Sequence, residues 1–256
     1  MAQTFGRIGE LLMASGSPAE ALKAFRDSLT ALDRVAKLTQ GGVQTADMGA
    51  QRDLGAAYAR TGDALLTLGD TAEALKSYRA GLALLERPGR GETGGSRREL
   101  AVLHGKIGDV LLAQQKPADA LTYYREQRMV LEKLAQAAPR DPGPQHDLAL
   151  ADQAIGGALA AQRNPAEALK SYQSAHATFE RLAKAAPNNQ AAQRELAVSW
   201  SNLASAHGAS GAPAEGLNAL KRGQAVMANL VRLAPENAEW KLALSRFNEQ
   251  IAAAPR

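Results

Sequence analysis

The chain has 256 residues; 45% are apolar but only 4% aromatic, and 30 basic against 26 acidic residues leave a net charge of +4. It contains no cysteine. That excludes disulfides, thiolate metal sites and a cysteine nucleophile, and it fits a cytoplasmic location. No stretch reaches the roughly 18 consecutive apolar residues of a membrane span, and Met1-Ala-Gln-Thr-Phe-Gly-Arg7 lacks the basic-then-apolar order of a signal peptide, so no membrane partner is expected. The two signs of charge are interspersed, as on a solvated helical surface, and Ala and Leu dominate the apolar content, which favours helices.

In chain order, the first predicted hairpin (1–42) sets a pattern: Ile8-Gly9, Leu12, a turn at Gly16-Ser-Pro18, then Ala21 and Phe25. The second (43–95) repeats it with Thr61-Gly62, Leu65, a turn at Gly69-Asp70, Ala74 and Tyr78. The third (96–140) has Ile107-Gly108, Leu111, Lys116-Pro117, Ala120 and Tyr124. The fourth (141–188) has Ile155-Gly156, Leu159, Asn164-Pro165, Ala168 and Tyr172. The fifth (189–235) substitutes Leu203-Ala204, His207, Gly211-Ala-Pro213, Gly216 and Leu220. A last helix (236–253) carries Trp240, Leu244, Phe247 and Ile251 on one stripe. It reads as a cap over the last hairpin. Leu54, Leu100, Leu148 and Leu196, each eight residues before the small landmark, extend the core along lengthened first helices.

An apolar-small pair, a large residue three later, a small residue twelve on and an aromatic four beyond resembles the tetratricopeptide repeat. The Pro-Ala-Glu-Ala-Leu-type segments start 53, 46, 48 and 48 residues apart, longer than that family's usual period of about 34. Arg98-Glu-Leu-Ala-Val102 and Arg194-Glu-Leu-Ala-Val198 are similar to openings of long-hairpin repeats in bacterial multidomain signalling proteins. The fold the resemblance implies is all-α: a single right-handed α-solenoid of five antiparallel helix hairpins plus a C-terminal capping helix. Either the chain opens on a weak cap or it is a piece of a longer protein.

Two connections are irregular: Thr39–Thr45, and Arg87–Ser96, which reads as a flexible loop. The second holds Gly89-Arg-Gly-Glu-Thr-Gly94, a G-x-G-x-x-G match without the strand a dinucleotide site needs. Arg87, Arg90, Arg97 and Arg98 around it make nucleic-acid binding a lesser alternative, though nucleic acid is not the expected partner. His104, His146, His176 and His207 form no ligand pair, so no metal, cofactor or catalytic residue is predicted and the chain is not expected to be an enzyme.

The resemblance implies a protein–protein interaction scaffold whose first helices line a concave groove. The position after the small landmark would face it: Glu10, Asp63, Asp109, Gly157 and Ser205. The three carboxylates would form an acidic row for a basic or amphipathic peptide. Arg7, Arg60 and Lys106, three residues earlier, can instead pair with them along each helix. Toward the C-terminus, Gln153, Ser201, Asn202 and Ser205 are small or uncharged and leave room for inserted side chains. The alternative function is a regulatory or sensory arm of a larger bacterial signalling protein (a kinase, peptidase or cyclase), with another domain of the same parent chain as partner.

Overall fold

Alanine and leucine dominate the sequence's regular segments, and helices are what those segments form. The structure, a computed structural model, describes residues 1–39, 44–87 and 94–254. These form eleven helices and no strand. They are α1 (Ala2–Ala14), α2 (Pro18–Thr39), α3 (Gln44–Thr67), α4 (Thr71–Leu85), α5 (Gly94–Ala113), α6 (Pro117–Ala137), α7 (Pro142–Ala161), α8 (Pro165–Ala185), α9 (Gln190–Ala209), α10 (Pro213–Leu233) and α11 (Ala238–Ala253). The chain divides into two compact units, Met1–Leu134 and Ala135–Arg256. The centre of the Thr39–Thr45 connection and all but the ends of the Arg87–Ser96 loop lie outside the described residues, and so does the G-x-G-x-x-G match except for Gly94.

Each hairpin closes through the same three-residue turn. In the first, the Gly16 N–H bonds the Met13 carbonyl and the Ser17 N–H the Leu12 carbonyl, satisfying two carbonyls that the end of α1 leaves open. Equivalent pairs close the other four turns, at Gly69/Asp70, Gln115/Lys116, Arg163/Asn164 and Gly211/Ala212. The geometry requires positive φ at the middle residue. Glycine supplies it at 16, 69 and 211, but Gln115 and Arg163 both sit at φ 59°. A side chain there costs roughly 1–2 kcal/mol, part of which glycine returns as extra freedom in the unfolded chain. Gln115→Gly is therefore expected to stabilise unit 1 by about 0.5–1 kcal/mol, read as a higher urea midpoint at unchanged slope.

The connections between hairpins follow a second rule. Ala186 and Ala234 precede prolines, which disfavour helical geometry, and both leave it, at φ −132° and −137°. α8 and α10 stop there. Asn189 then accepts from the N–H groups of Ala191 and Ala192, and Asn237 from that of Trp240, restarting α9 and α11. Asp141 does the same for α7 through the Gly143 N–H.

The landmark glycines have a steric cause. A Cβ on Gly9, Gly62, Gly108 or Gly156 would lie 2.4, 2.2, 2.5 or 2.7 Å from the ring of Phe25, Tyr78, Tyr124 or Tyr172. Each aromatic packs against the bare backbone of the partner helix in its own hairpin, so glycine and ring form one packing unit. In the fifth hairpin Ala204 takes the glycine's place, and the residue opposite shrinks to Leu220. Within each unit, successive hairpins join through the first helix of one and the second helix of the one before. Leu54 and Ala57 of α3 pack on Leu32 of α2, and Leu203 of α9 packs on Leu169 and Tyr172 of α8. α11 closes the last hairpin with Trp240 and Phe247 on Ala197, Met227 and Leu230.

Candidate functional site

The expected acidic row sits on first helices as predicted: Glu10 on α1, Asp63 on α3, Asp109 on α5. Its carboxylates are differently engaged from the pairing expected along each helix. Arg7 and Glu10 do meet, at 3.8 Å. Arg60 and Lys106, however, reach back to the preceding hairpin: Arg60 Nε lies 2.9 Å from Glu10 Oε1, and Lys106 Nζ 2.7 Å from Asp63 Oδ1. A lysine or arginine on one first helix finds the carboxylate of the previous first helix closer than its own. These pairs are partly exposed and each contributes roughly 0.2–1 kcal/mol, so they align neighbouring hairpins more than they stabilise them.

The row has a second tie. The Tyr78 hydroxyl donates to Asp63 Oδ1 and the Tyr124 hydroxyl to Asp109 Oδ1, both at 2.7 Å. Burial, then the hydrogen bond, pushes each tyrosine's pKa up, so both stay protonated donors. Sequence reading missed this tie. Its signal was a carboxylate and a tyrosine fifteen residues apart in the second and third hairpins only. Asp109 is the exposed member of the row.

Around Glu10 a groove of about 430 Å³ is lined by Gly6, Arg7, Arg52, Asp53, Ala56, Arg60 and Glu99 among others. Arg52 bonds its neighbour Asp53 at 2.7 Å. Burial raises the Glu99 pKa, opposed by the attraction of Arg60 and Arg52. The groove thus presents three arginines and three carboxylates, a mixed lining and not a purely acidic one. Arg52, Asp53 and Glu99 were not singled out from sequence because nothing periodic marks them.

In unit 2 the row position holds Gly157 and Ser205. Gln153 on α7 and Ser201 and Asn202 on α9 are partly exposed; Ser205 is exposed and donates to the Ser201 carbonyl at 3.1 Å. A second cleft, of about 470 Å³, is lined by Ala160, Arg163, Pro165, Ala168, Tyr172, Ser205, Ala206 and Ala209. Of the predicted unit 2 residues, it brings in only Ser205.

Two of the histidines tie their helices to α9. His146 Nε2 lies 2.5 Å from Glu195 Oε2, joining α7 to α9. His176 Nδ1 lies 2.8 Å from the Ser199 hydroxyl, but that hydroxyl donates to the Leu196 carbonyl and its residue is 2% exposed, out of a substrate's reach. Among the described residues no group of three His, Asp or Glu is arranged to hold a metal ion. His104 is buried with Nδ1 unpaired; Nε2 is 3.8 Å from Glu86 Oε1, and the Tyr123 ring lies 6.0 Å away, tilted by 44°.

Burial pushes the His104 pKa down to about 4. The folded chain therefore refuses a proton that the unfolded chain takes up near 6.5. Stability is lost as pH falls from that value to about 4, by an order of 3 kcal/mol before any offset from Glu86. His104→Leu is expected to flatten this slope, checked by urea unfolding at pH 7 and pH 4.5.

Residues 55–84, from α3 into α4, match the family model of the tetratricopeptide repeat. No curated protein sequence matches the chain. Among solved structures, BtubC (BKLC) from P. vanneervenii is similar with a TM-score of 0.67 and 16% identity, over 89% of this chain and 80% of that one. The apo form of RapI gives 0.66 and 12%, over 96% and 77%. A signal transduction ATPase with numerous domains and a tetratricopeptide repeat sensor, from Pyrococcus horikoshii, gives 0.63 and 13%, over 98% of this chain and 36% of that one. The chain is thus an all-helical repeat protein. More narrowly, residues 55–84 match the tetratricopeptide repeat, and the fold is similar to that of a solved protein with a tetratricopeptide-repeat sensor.

Proposed function

We propose that the chain is a protein-binding module that holds a segment of its partner against the first helices of its hairpins. The fold supports protein–protein interaction in general, since stacked hairpins build extended side-by-side surfaces. One observation carries the finer reading: the 430 Å³ groove runs along the first-helix face of unit 1 and displays charges of both signs at its lining. Such a lining suits an amphipathic segment of mixed charge. Asp109, exposed at the end of the row, remains open to a basic residue of the partner. Ala56→Trp would plug the groove. In affinity capture from the source cell, that variant should lose the proteins the unmodified chain retains, while Lys23→Trp on the exposed side of α2 should keep them. Equal capture by both variants would contradict groove binding.

A second reading, a sensory arm of a signalling protein, is supported by the likeness to the Pyrococcus horikoshii signal transduction ATPase, whose own length this chain spans for only 36%. The native open reading frame tests it: a kinase, peptidase, cyclase or ATPase domain joined to this segment is the expected finding, and none would remove the reading.

A further inference from the structure

The internal repeats are a template for each other, and unit 2 lacks two things the template contains. In the second and third hairpins the tyrosine hydroxyl is bound by a carboxylate from the residue after the landmark glycine. In the fourth hairpin that residue is Gly157, and a Cβ placed on it would lie 3.7 Å from the Tyr172 hydroxyl. Tyr172 still packs its ring on Gly156, so its hydroxyl stands in the same relation to its hairpin as those of Tyr78 and Tyr124. Burial alone raises its pKa, with no carboxylate contributing, so it is a protonated donor. Three residues beyond the row position, Leu66 and Leu112 of the second and third hairpins give way to Ala160; one residue beyond it, Val110 of the third gives way to Ala206 of the fifth, as it does to Ala64 of the second. The 470 Å³ cleft opens at this place, with Tyr172, Ala160 and Ala206 in its lining.

We propose that this cleft binds an acidic peptide segment of a partner protein: a partner carboxylate accepts from the Tyr172 hydroxyl, and an aliphatic side chain one helical turn away fills the space beside Ala160 and Ala206. The occupant's chemistry is read from what the second and third hairpins carry at the corresponding sequence positions, an aspartate and a leucine three residues apart. Charge agrees, since Arg163 lines the cleft and no acidic residue does. The carboxylate supplies what Gly157 cannot, and the aliphatic group restores contacts that the alanines leave unmade. The proposal rests on the protein-binding reading and deepens it, in a cleft separate from the unit 1 groove.

The probes are short acetylated, amidated helical peptides carrying Asp and Leu three positions apart, in either order, with Asn-for-Asp and Ala-for-Leu versions. Binding is followed by fluorescence anisotropy with the full chain. One order of the Asp–Leu pair should bind. The Asn version and the Tyr172→Phe chain should each bind about tenfold more weakly, as for a lost hydrogen bond to a charged group. Gly157→Asp supplies the carboxylate from within and should abolish binding without lowering the melting temperature. Ala160→Leu should do the same by filling the cleft. No binding of either Asp–Leu peptide, or equal binding of Asp and Asn versions, would overturn the proposal; so would Tyr172→Phe binding like the unmodified chain. Loss of capture by the Ala56→Trp plug alongside any of these outcomes would leave protein binding standing and remove only this site.

Discussion

Gly62→Ala is expected to destabilise unit 1 by about 2 kcal/mol, although alanine is the better helix former. The gain in propensity is about 1 kcal/mol. Against it stands the new Cβ, 2.2 Å from a ring carbon of Tyr78, which is fully buried and held through its hydroxyl by Asp63. The ring cannot retreat, and overpacking of this kind costs up to about 3 kcal/mol. Tyr78→Leu should relieve it. The pair Gly62→Ala/Tyr78→Leu reproduces Ala204 and Leu220 of the fifth hairpin, so the double variant should be more stable than the two single losses predict, by about 1–2 kcal/mol of coupling. Urea unfolding of the four proteins measures this directly. Additive losses would show that glycine and aromatic are not one packing unit.

Phe247→Ala is expected to have the largest effect of any single change in unit 2, about 3–5 kcal/mol. The ring is 5% exposed, packs with Met227, Leu230 and Trp240, and lies where a Cβ on Gly223 would be 2.6 Å away. A helix of 16 residues such as α11 is marginal once detached. In a repeat array each element depends on its neighbours, so the loss should stay local. Hydrogen exchange should show protection vanishing across 238–253 and weakening in α10, with α1–α5 unchanged. Retained protection in α11, or a uniform loss through the chain, would contradict this.

Much of the fold was legible because a few residues do one job in several hairpins. The glycine sixteen residues before an aromatic, the proline opening the second helix and the asparagine after Ala-Pro each impose local geometry that the next copy repeats. What escaped was whatever the repeats do not share. Gln115 and Arg163 occupy a left-handed position that glycine would have announced. Sequence spacing shows only near neighbours along one helix, whereas the carboxylates that Arg60 and Lys106 meet belong to the preceding hairpin. The acidic row was found, but not its engagement by tyrosine. Arg52, Asp53 and Glu99 line a groove without any periodic signal. The unit 2 cleft was half visible: Gly157 and Ser205 marked a change of character, while the roles of Tyr172 and Ala160 emerge only by laying the fourth hairpin over the second and third.

Photo-crosslinking in the source cell tests the central claim most directly. A benzophenone amino acid would replace Gln3 in the unit 1 groove or Ser205 in the unit 2 cleft, and Lys23 or Lys184 on exposed second helices. Protein binding through the first-helix face predicts discrete protein adducts from Gln3 or Ser205 and none from Lys23 or Lys184. Adducts confined to the two lysine positions would place the partner on the opposite face and contradict the account.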